Sequence, residues 1–298
     1  MQVIRSDVLG FCMGVSRAVE MARRASGRKG SVFTLGPLIH NPLVLEELKS
    51  RGVGILGDES LSKGRIPDNS TVIIRAHGIP PYAEAALRGR NLQVLDATCP
   101  RVKKNQKTAR DFAEKGYWIF LAGEKNHGEI IGIRAYIESS RCSVVADPAE
   151  AEAAAAALSK AGGVDRAVLM AQTTISPEEY RAVGESIMRF FPALEILDTI
   201  CGATEERQRS LRDLCGRVDA VITIGGRDSA NTRRLYSVAA EMGKPAWIAE
   251  SPEEIPAEIE NYRTVGLCAG ASTPESLIDE IEKALNRSGP LQSDTHTK

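Results

Sequence analysis

The stretch LQVLDATCP, Leu92 to Pro100, is echoed by LEILDTIC, Leu194 to Cys201, and the two cysteines stand 102 positions apart. At that offset, without a gap, Gln106 falls on Gln208, Arg110 on Arg212, Asp111 on Asp213, Gly123 on Gly225, His127 on Ser229 and Glu129 on Asn231. Each copy is an apolar run rich in branched residues, ended by Asp and Cys and followed by a charged stretch of helical character. That pattern fits a strand delivering a cysteine into the turn before a helix. A fainter third copy opens the chain: Met1 to Ile4 is a short apolar run and GFCMGV carries Cys12. Gly36, Gly123 and Gly225 each follow their cysteine by 24 positions, and His40, His127 and Ser229 follow theirs by 28. Later in each unit another apolar run ends in a polar group: His77 in TVIIRAHG, Thr173 in AVLMAQTT and Ser272 in TVGLCAGAS.

The chain therefore reads as α/β, with three similar units and mainly parallel sheets, whose ligand sites form beyond the carboxyl ends of the strands. The expected domains are 13–97, with Cys12 at its start, 98–197, and 198–285, to which the strand in 1–12 adds; 286–298 reads as a flexible tail. The alanine-rich run Pro148 to Ala161 predicts a helix on the outside of the fold. Asp96 and Asp198, three residues before their cysteines, read as caps.

A net charge of −1, from 38 basic and 39 acidic residues, excludes a nucleic-acid protein that relies on bulk positive charge. No run is long and apolar enough to span a bilayer, and Met1 leads into a strand, not a secretory signal, so the cytoplasm is the expected compartment. Cysteines at 12, 99, 142, 201, 215 and 268 lack the close pairs of a secreted framework. Cys215 and Cys268 read as small buried side chains, and Cys142 has no assigned part.

One cysteine per repeat points to ligation at a common centre. Zinc with a histidine as fourth ligand is one reading, although structural zinc favours close cysteine pairs. An iron–sulfur cluster is the other, since three thiolates on a four-iron cluster leave one iron open. Around such a centre, His40, His77 and His127 with Ser229, Asn231 and Ser272 offer donors suited to an anion such as a diphosphate. GGRDSAN adds backbone N–H groups near a helix start. Glu129 is the one carboxylate at the position 30 after a cysteine; beside an anion its pKa should rise, making it a candidate proton donor, with Thr173 to orient or relay the proton.

The strings GFCMGVSRAV, IHNP, AHG, DATCP, NHGE, QTT, CGATEERQ, GGRDSAN and AGAS, in this order, closely resemble the 4-hydroxy-3-methylbut-2-enyl diphosphate reductase (IspH/LytB) family, from residue 1 to about 285. The resemblance implies three α/β domains in pseudo-threefold arrangement around one 4Fe–4S cluster held by Cys12, Cys99 and Cys201. It also implies reductive dehydroxylation of the substrate to isopentenyl and dimethylallyl diphosphates, the last step of the non-mevalonate isoprenoid pathway. Ferredoxin or flavodoxin would supply the electrons. Glu129 matches the proton donor and Thr173 its partner; His40, His77, His127, Thr173, Ser229, Asn231 and Ser272 match the substrate binders.

Two departures stand out. Ala230 occupies a position where the family often has a second serine, which removes one hydroxyl from the diphosphate site. Glu205 and Glu206 follow CGAT where some members are uncharged, and they are expected to point outward. The alternatives are a quinolinate-synthase-like 4Fe–4S dehydrating and condensing enzyme, whose motifs these strings do not resemble, and a non-catalytic iron–sulfur or zinc protein.

Overall fold

The computed structural model describes residues 1–28, 30–57, 66–137 and 141–287. In chain order the elements are β1 (Gln2–Arg5), α1 (Met13–Ser26), β2 (Val32–Leu35), α2 (Pro42–Ser50), β3 (Val53–Leu56), β4 (Thr71–Ile74), α3 (Pro81–Arg88) and β5 (Gln93–Asp96). Then come α4 (Pro100–Glu114), β6 (Trp118–Ala122), α5 (Gly128–Arg134), β7 (Cys142–Val145), α6 (Pro148–Ala161), β8 (Ala167–Ala171), α7 (Pro177–Met188) and β9 (Glu195–Ile196). The chain continues with α8 (Gly202–Cys215), β10 (Ala220–Ile224), α9 (Ala230–Glu241), β11 (Ala246–Ala249), two 3₁₀ turns, β12 (Thr264–Ala269) and α10 (Glu275–Arg287).

The strands form three parallel sheets of four, ordered β3-β2-β4-β5, β7-β6-β8-β9 and β11-β10-β12-β1. One order is used three times. The fourth place goes each time to the strand that runs into the next cysteine: β5 before Cys99, β9 before Cys201, and β1 before Cys12. β1 reaches its sheet across nearly the whole sequence, pairing Gln2 with Thr264. By contacts the chain divides into two compact units, Met13–Glu205 with the first two sheets, and Met1–Cys12 with the chain from Glu206 onward, which holds the third.

Central strands β4, β8 and β10 are buried along their whole length, as expected of parallel strands covered on both faces. Alternation sends their side chains to opposite layers. In the second sheet, Phe120 and Leu169 pack with Ala151, Ala155, Val183 and Ile187, while Ile119, Leu121, Val168 and Met170 meet Ile130 and Ile133. The alanine-rich α6 lays Ala151 and Ala155 on the core. Cys215 and Cys268 are fully buried core side chains, and burial raises both thiol pKa values. Cys142, on β7, has a thiol pushed up to about 11 by burial.

Two expectations are corrected. LEILDTIC predicts a strand, but β9 is two residues long and both are exposed. Glu195 and Asp198 interrupt its apolar alternation, and hydrogen bonds replace the missing ladder. The Tyr180 hydroxyl lies 2.8 Å from the carbonyls of both Leu169 and Leu197, and Thr199 Oγ1 accepts from the Ala171 N–H at 2.7 Å. Asn105 Nδ2 donates to the Thr199 carbonyl at 3.1 Å. The first two residues of the expected tail 286–298 belong to amphipathic α10, which runs to Arg287, and the rest of that tail lies outside the described residues. Among the described residues no helix is long and apolar enough to cross a membrane.

Tyr180→Phe tests how the Cys201 approach is held. It should lower the thermal midpoint, followed by circular dichroism, in line with about 1 kcal/mol for one buried hydrogen bond. An unchanged midpoint would show that the hydroxyl is not part of the fastening.

Candidate active site

Each candidate cysteine follows a fourth strand and is half-buried. Each is placed by the same backbone bond. The Cys99 N–H donates to the Ala76 carbonyl at 2.9 Å, the Cys201 N–H to Thr173 at 3.0 Å, and the Cys12 N–H to Ala271 at 3.1 Å. Around Cys99 the loop is further tied: Asp96 Oδ1 accepts from the Thr98 N–H, Asp96 pairs with Lys103, and Arg17 donates to the carbonyls of Thr98 and Asp96. Asp96 is thus the cap expected of it. A methyl group on Gly14 would stand 2.7 Å from Cys99 Sγ, so only glycine lets that sulfur lie against α1. Arg101, in the first turn after Cys99, reaches Gly202, the residue after Cys201.

Three histidines converge in the Met13–Glu205 unit. Ring centroids are 4.7 Å apart for His40 and His77, 5.3 Å for His77 and His127, and 5.8 Å for His40 and His127. They come from three loops beyond β2, β4 and β6. Gly36 and Gly123, which end β2 and β6, have φ of 71° and 153°, and Gly225 after β10 has 141°; all three need glycine to turn the chain. His127 caps α5, its Nδ1 accepting from the Glu129 N–H at 3.2 Å, so in the neutral ring Nε2 carries the proton. In the first copy Asn41 caps α2 ahead of Pro42, so the residue matched to His127 is His40, one position before the cap. Burial, then the charges of His40, His127 and Arg75, hold His77 well below the usual histidine range.

Glu129, in the first turn of α5, is 1% exposed. Its carboxyl oxygens accept from the Thr173 N–H at 3.0 Å and the Thr173 hydroxyl at 2.7 Å. These bonds favour the charged form, but burial outweighs them and pushes the pKa up to about 7. A carboxyl that holds its proton near neutrality is suited to general-acid work.

The other unit carries Cys12, Ser229, Ala230, Asn231 and Ser272. Ser229 caps α9 and accepts from the Thr232 N–H at 3.4 Å. Ala230 and Ser272 are buried. Asn231 is 4% exposed, and among the described residues neither its Oδ1 nor its Nδ2 has a partner, as a residue that receives a polar ligand would be left. Glu205 and Glu206 are exposed, as expected.

Residues 3–286 match the family model described as LytB protein. This chain belongs to the LytB family. The 4-hydroxy-3-methylbut-2-enyl diphosphate reductase of Treponema denticola is 43% identical over 96% of this chain and 99% of its own, and that of Aquifex aeolicus is 38% identical over 95% of each. The solved E-1-hydroxy-2-methyl-but-2-enyl-4-diphosphate reductase of Plasmodium falciparum superposes with a TM-score of 0.85 at 27% identity, covering 96% of this chain and 87% of that one. A second solved reductase, described as the terminal enzyme of the non-mevalonate pathway, gives 0.68 at 37% identity over 96% of this chain and 100% of that one. The three parallel sheets of this LytB protein agree with those relatives, and the condensing-enzyme alternative gains no support.

One residue escaped the sequence reading. In the sequence, His77, Thr173 and Ser272 read as the polar groups that end the later apolar runs, but the cysteine N–H bonds align Thr173 with Ala76 and Ala271. Thr174 is therefore the structural counterpart of His77 and Ser272 in this LytB chain. QTT ends in two adjacent hydroxyls, and only the Cys201 N–H bond to the Thr173 carbonyl tells which of them is in register. Thr174 Oγ1 accepts from Gln172 Nε2 at 2.7 Å.

Thr173→Val removes the hydroxyl donor that favours ionised Glu129. The Glu129 titration, followed by the infrared carboxyl band, should move above about 7; a downward move would contradict the balance described.

Proposed function

We propose that this chain reduces 4-hydroxy-3-methylbut-2-enyl diphosphate to isopentenyl and dimethylallyl diphosphates in the cytoplasm, the final step of the non-mevalonate isoprenoid pathway. What supports it is the juxtaposition, in a LytB member, of a buried neutral-range acid with three clustered histidines. The residues would be organised in domains 13–97, 98–197 and 198–285, the last completed by 1–12.

Cys12, Cys99 and Cys201 would hold one 4Fe–4S cluster, and the donor set fits it: half-buried thiols in similarly fastened loops, with Gly14 keeping space beside the Cys99 sulfur. When bound, the cluster supplies electrons, received from reduced ferredoxin or flavodoxin, and an open iron position for the substrate hydroxyl. The substrate's C–O bond breaks, two electrons and two protons are consumed, and water leaves. One proton completes the water and the other ends on an allylic carbon.

The protein's share is binding and proton supply. His40, His77 and His127, with Ser229, Asn231, Ser272 and Thr173, receive the diphosphate and the rest of the substrate. His77, held uncharged by burial, donates an N–H bond without adding a buried positive charge. Ala230 contributes only its backbone N–H. Glu129 delivers protons, and the Thr173 hydroxyl holds its carboxyl in place. The raised pKa keeps Glu129 protonated below about pH 7, so turnover should hold below that pH and fall as pH rises through it.

Two measurements test this. The parent protein, purified without oxygen, should carry about four iron and four sulfide per chain and turn over with reduced methyl viologen, while Cys99→Ser should lose iron. Glu129→Gln should keep the cluster's visible absorption and lose at least about 100-fold in kcat. Full activity in that variant would remove Glu129 from the chemistry, and a colourless parent would remove the cluster.

A further inference from the structure

Arg75, two residues before His77, has an unusual setting. Its side chain is half-buried, and no carboxylate among the described residues pairs with it. Among the described residues its one hydrogen bond runs from Nε to the Gly78 carbonyl at 3.2 Å, and neither Nη group donates to any of them. Two glycines from separate loops make the slot. A methyl on Gly36 would lie 2.6 Å from Arg75 Nη1, and one on Gly128 would lie 3.5 Å from both Arg75 Cζ and His77 Cβ. Gly36 follows β2 toward His40, and Gly128 stands between His127 and Glu129. The guanidinium therefore sits where the three histidine loops meet.

A half-buried arginine without a counter-charge is costly to keep unless an anion completes it. The histidine ring nitrogens, all within 4.8 Å of one another, could by themselves equally hold a metal ion. A fixed positive charge beside them discriminates against the cation and for the anion, and a planar fork suits phosphate oxygens.

We propose that Arg75 commits the three-histidine cluster to an anion, its guanidinium being the permanent positive charge that a diphosphate group meets there. This rests on the reading of the cluster as the diphosphate site. It assigns the attraction to arginine and leaves directional N–H donation to the histidines. The charged or titratable groups acting on His77 are His40, His127 and Arg75 itself, and burial outweighs each of them. Removing Arg75 therefore leaves His77 below its ordinary range, and low pH should not replace the lost charge.

The test is calorimetric binding of inorganic pyrophosphate to the cluster-loaded protein at about pH 8 and about pH 6, on either side of ordinary histidine titration. Arg75→Met should weaken binding at least about tenfold at both pH values. Arg75→Lys, which keeps the charge but not the planar fork, should bind more weakly than the parent and more tightly than Arg75→Met. Visible absorption and circular dichroism check folding, and Arg75→Gln serves as a second neutral variant should Arg75→Met misfold. Parent-like binding in the neutral variants, or a loss in Arg75→Lys equal to that in Arg75→Met, would overturn the assignment of charge to Arg75. A parent that does not bind pyrophosphate would instead remove the diphosphate reading, and this inference with it.

Discussion

One backbone hydrogen bond, made three times, organises the molecule: a cysteine N–H reaches the carbonyl of the residue just past the end of the neighbouring parallel strand. The acceptors are Ala271, Ala76 and Thr173. Because the acceptor lies in the same loop as the polar residue that follows it, one contact fixes both a thiol and a donor. Ser272, His77 and Thr174 are the next residues in line. Parallel strand order makes this possible, since all the strand ends and the turns beyond them open on the same edge of each sheet.

Electrostatics at the histidine–glutamate site follow from burial first and partners second. Glu129 receives two hydrogen bonds that would by themselves lower its pKa, yet desolvation dominates and the acid stays near neutrality. His77 is driven the other way by the same burial, reinforced by the charges around it. Desolvation thus favours the uncharged form of both groups, leaving an acid that can give a proton and a His77 ring that can donate without carrying charge. The two outcomes share one cause.

Much of this was legible in the residues. Fixed spacings of glycine and polar groups after Cys12, Cys99 and Cys201 marked the three equivalent turns, because a positive-φ glycine cannot drift along the chain without changing the turn, even where the helix cap moves by one residue, as it does at Asn41. Glu129 stood out as the carboxylate at a repeated position. What was not legible depended on contacts between distant segments. Thr174 was hidden because QTT offers two adjacent hydroxyls and only the Cys201 N–H bond to the Thr173 carbonyl sets the register, and β9 was overestimated because Tyr180, Thr199 and Asn105 do the fastening that a longer ladder would do. Arg75 was invisible because its setting is made by Gly36 and Gly128, residues that carry no chemical signal of their own.

The place of β1 has a consequence for biosynthesis. β1 is made long before its partner, because β12 follows some 260 residues later in the chain. Until then the turn bearing Cys12 lacks the Ala271 carbonyl that fastens it, whereas the turns at Cys99 and Cys201 draw their partners from residues already made. A polypeptide that stops short of β12 therefore carries two fastened cysteine turns and one without its acceptor.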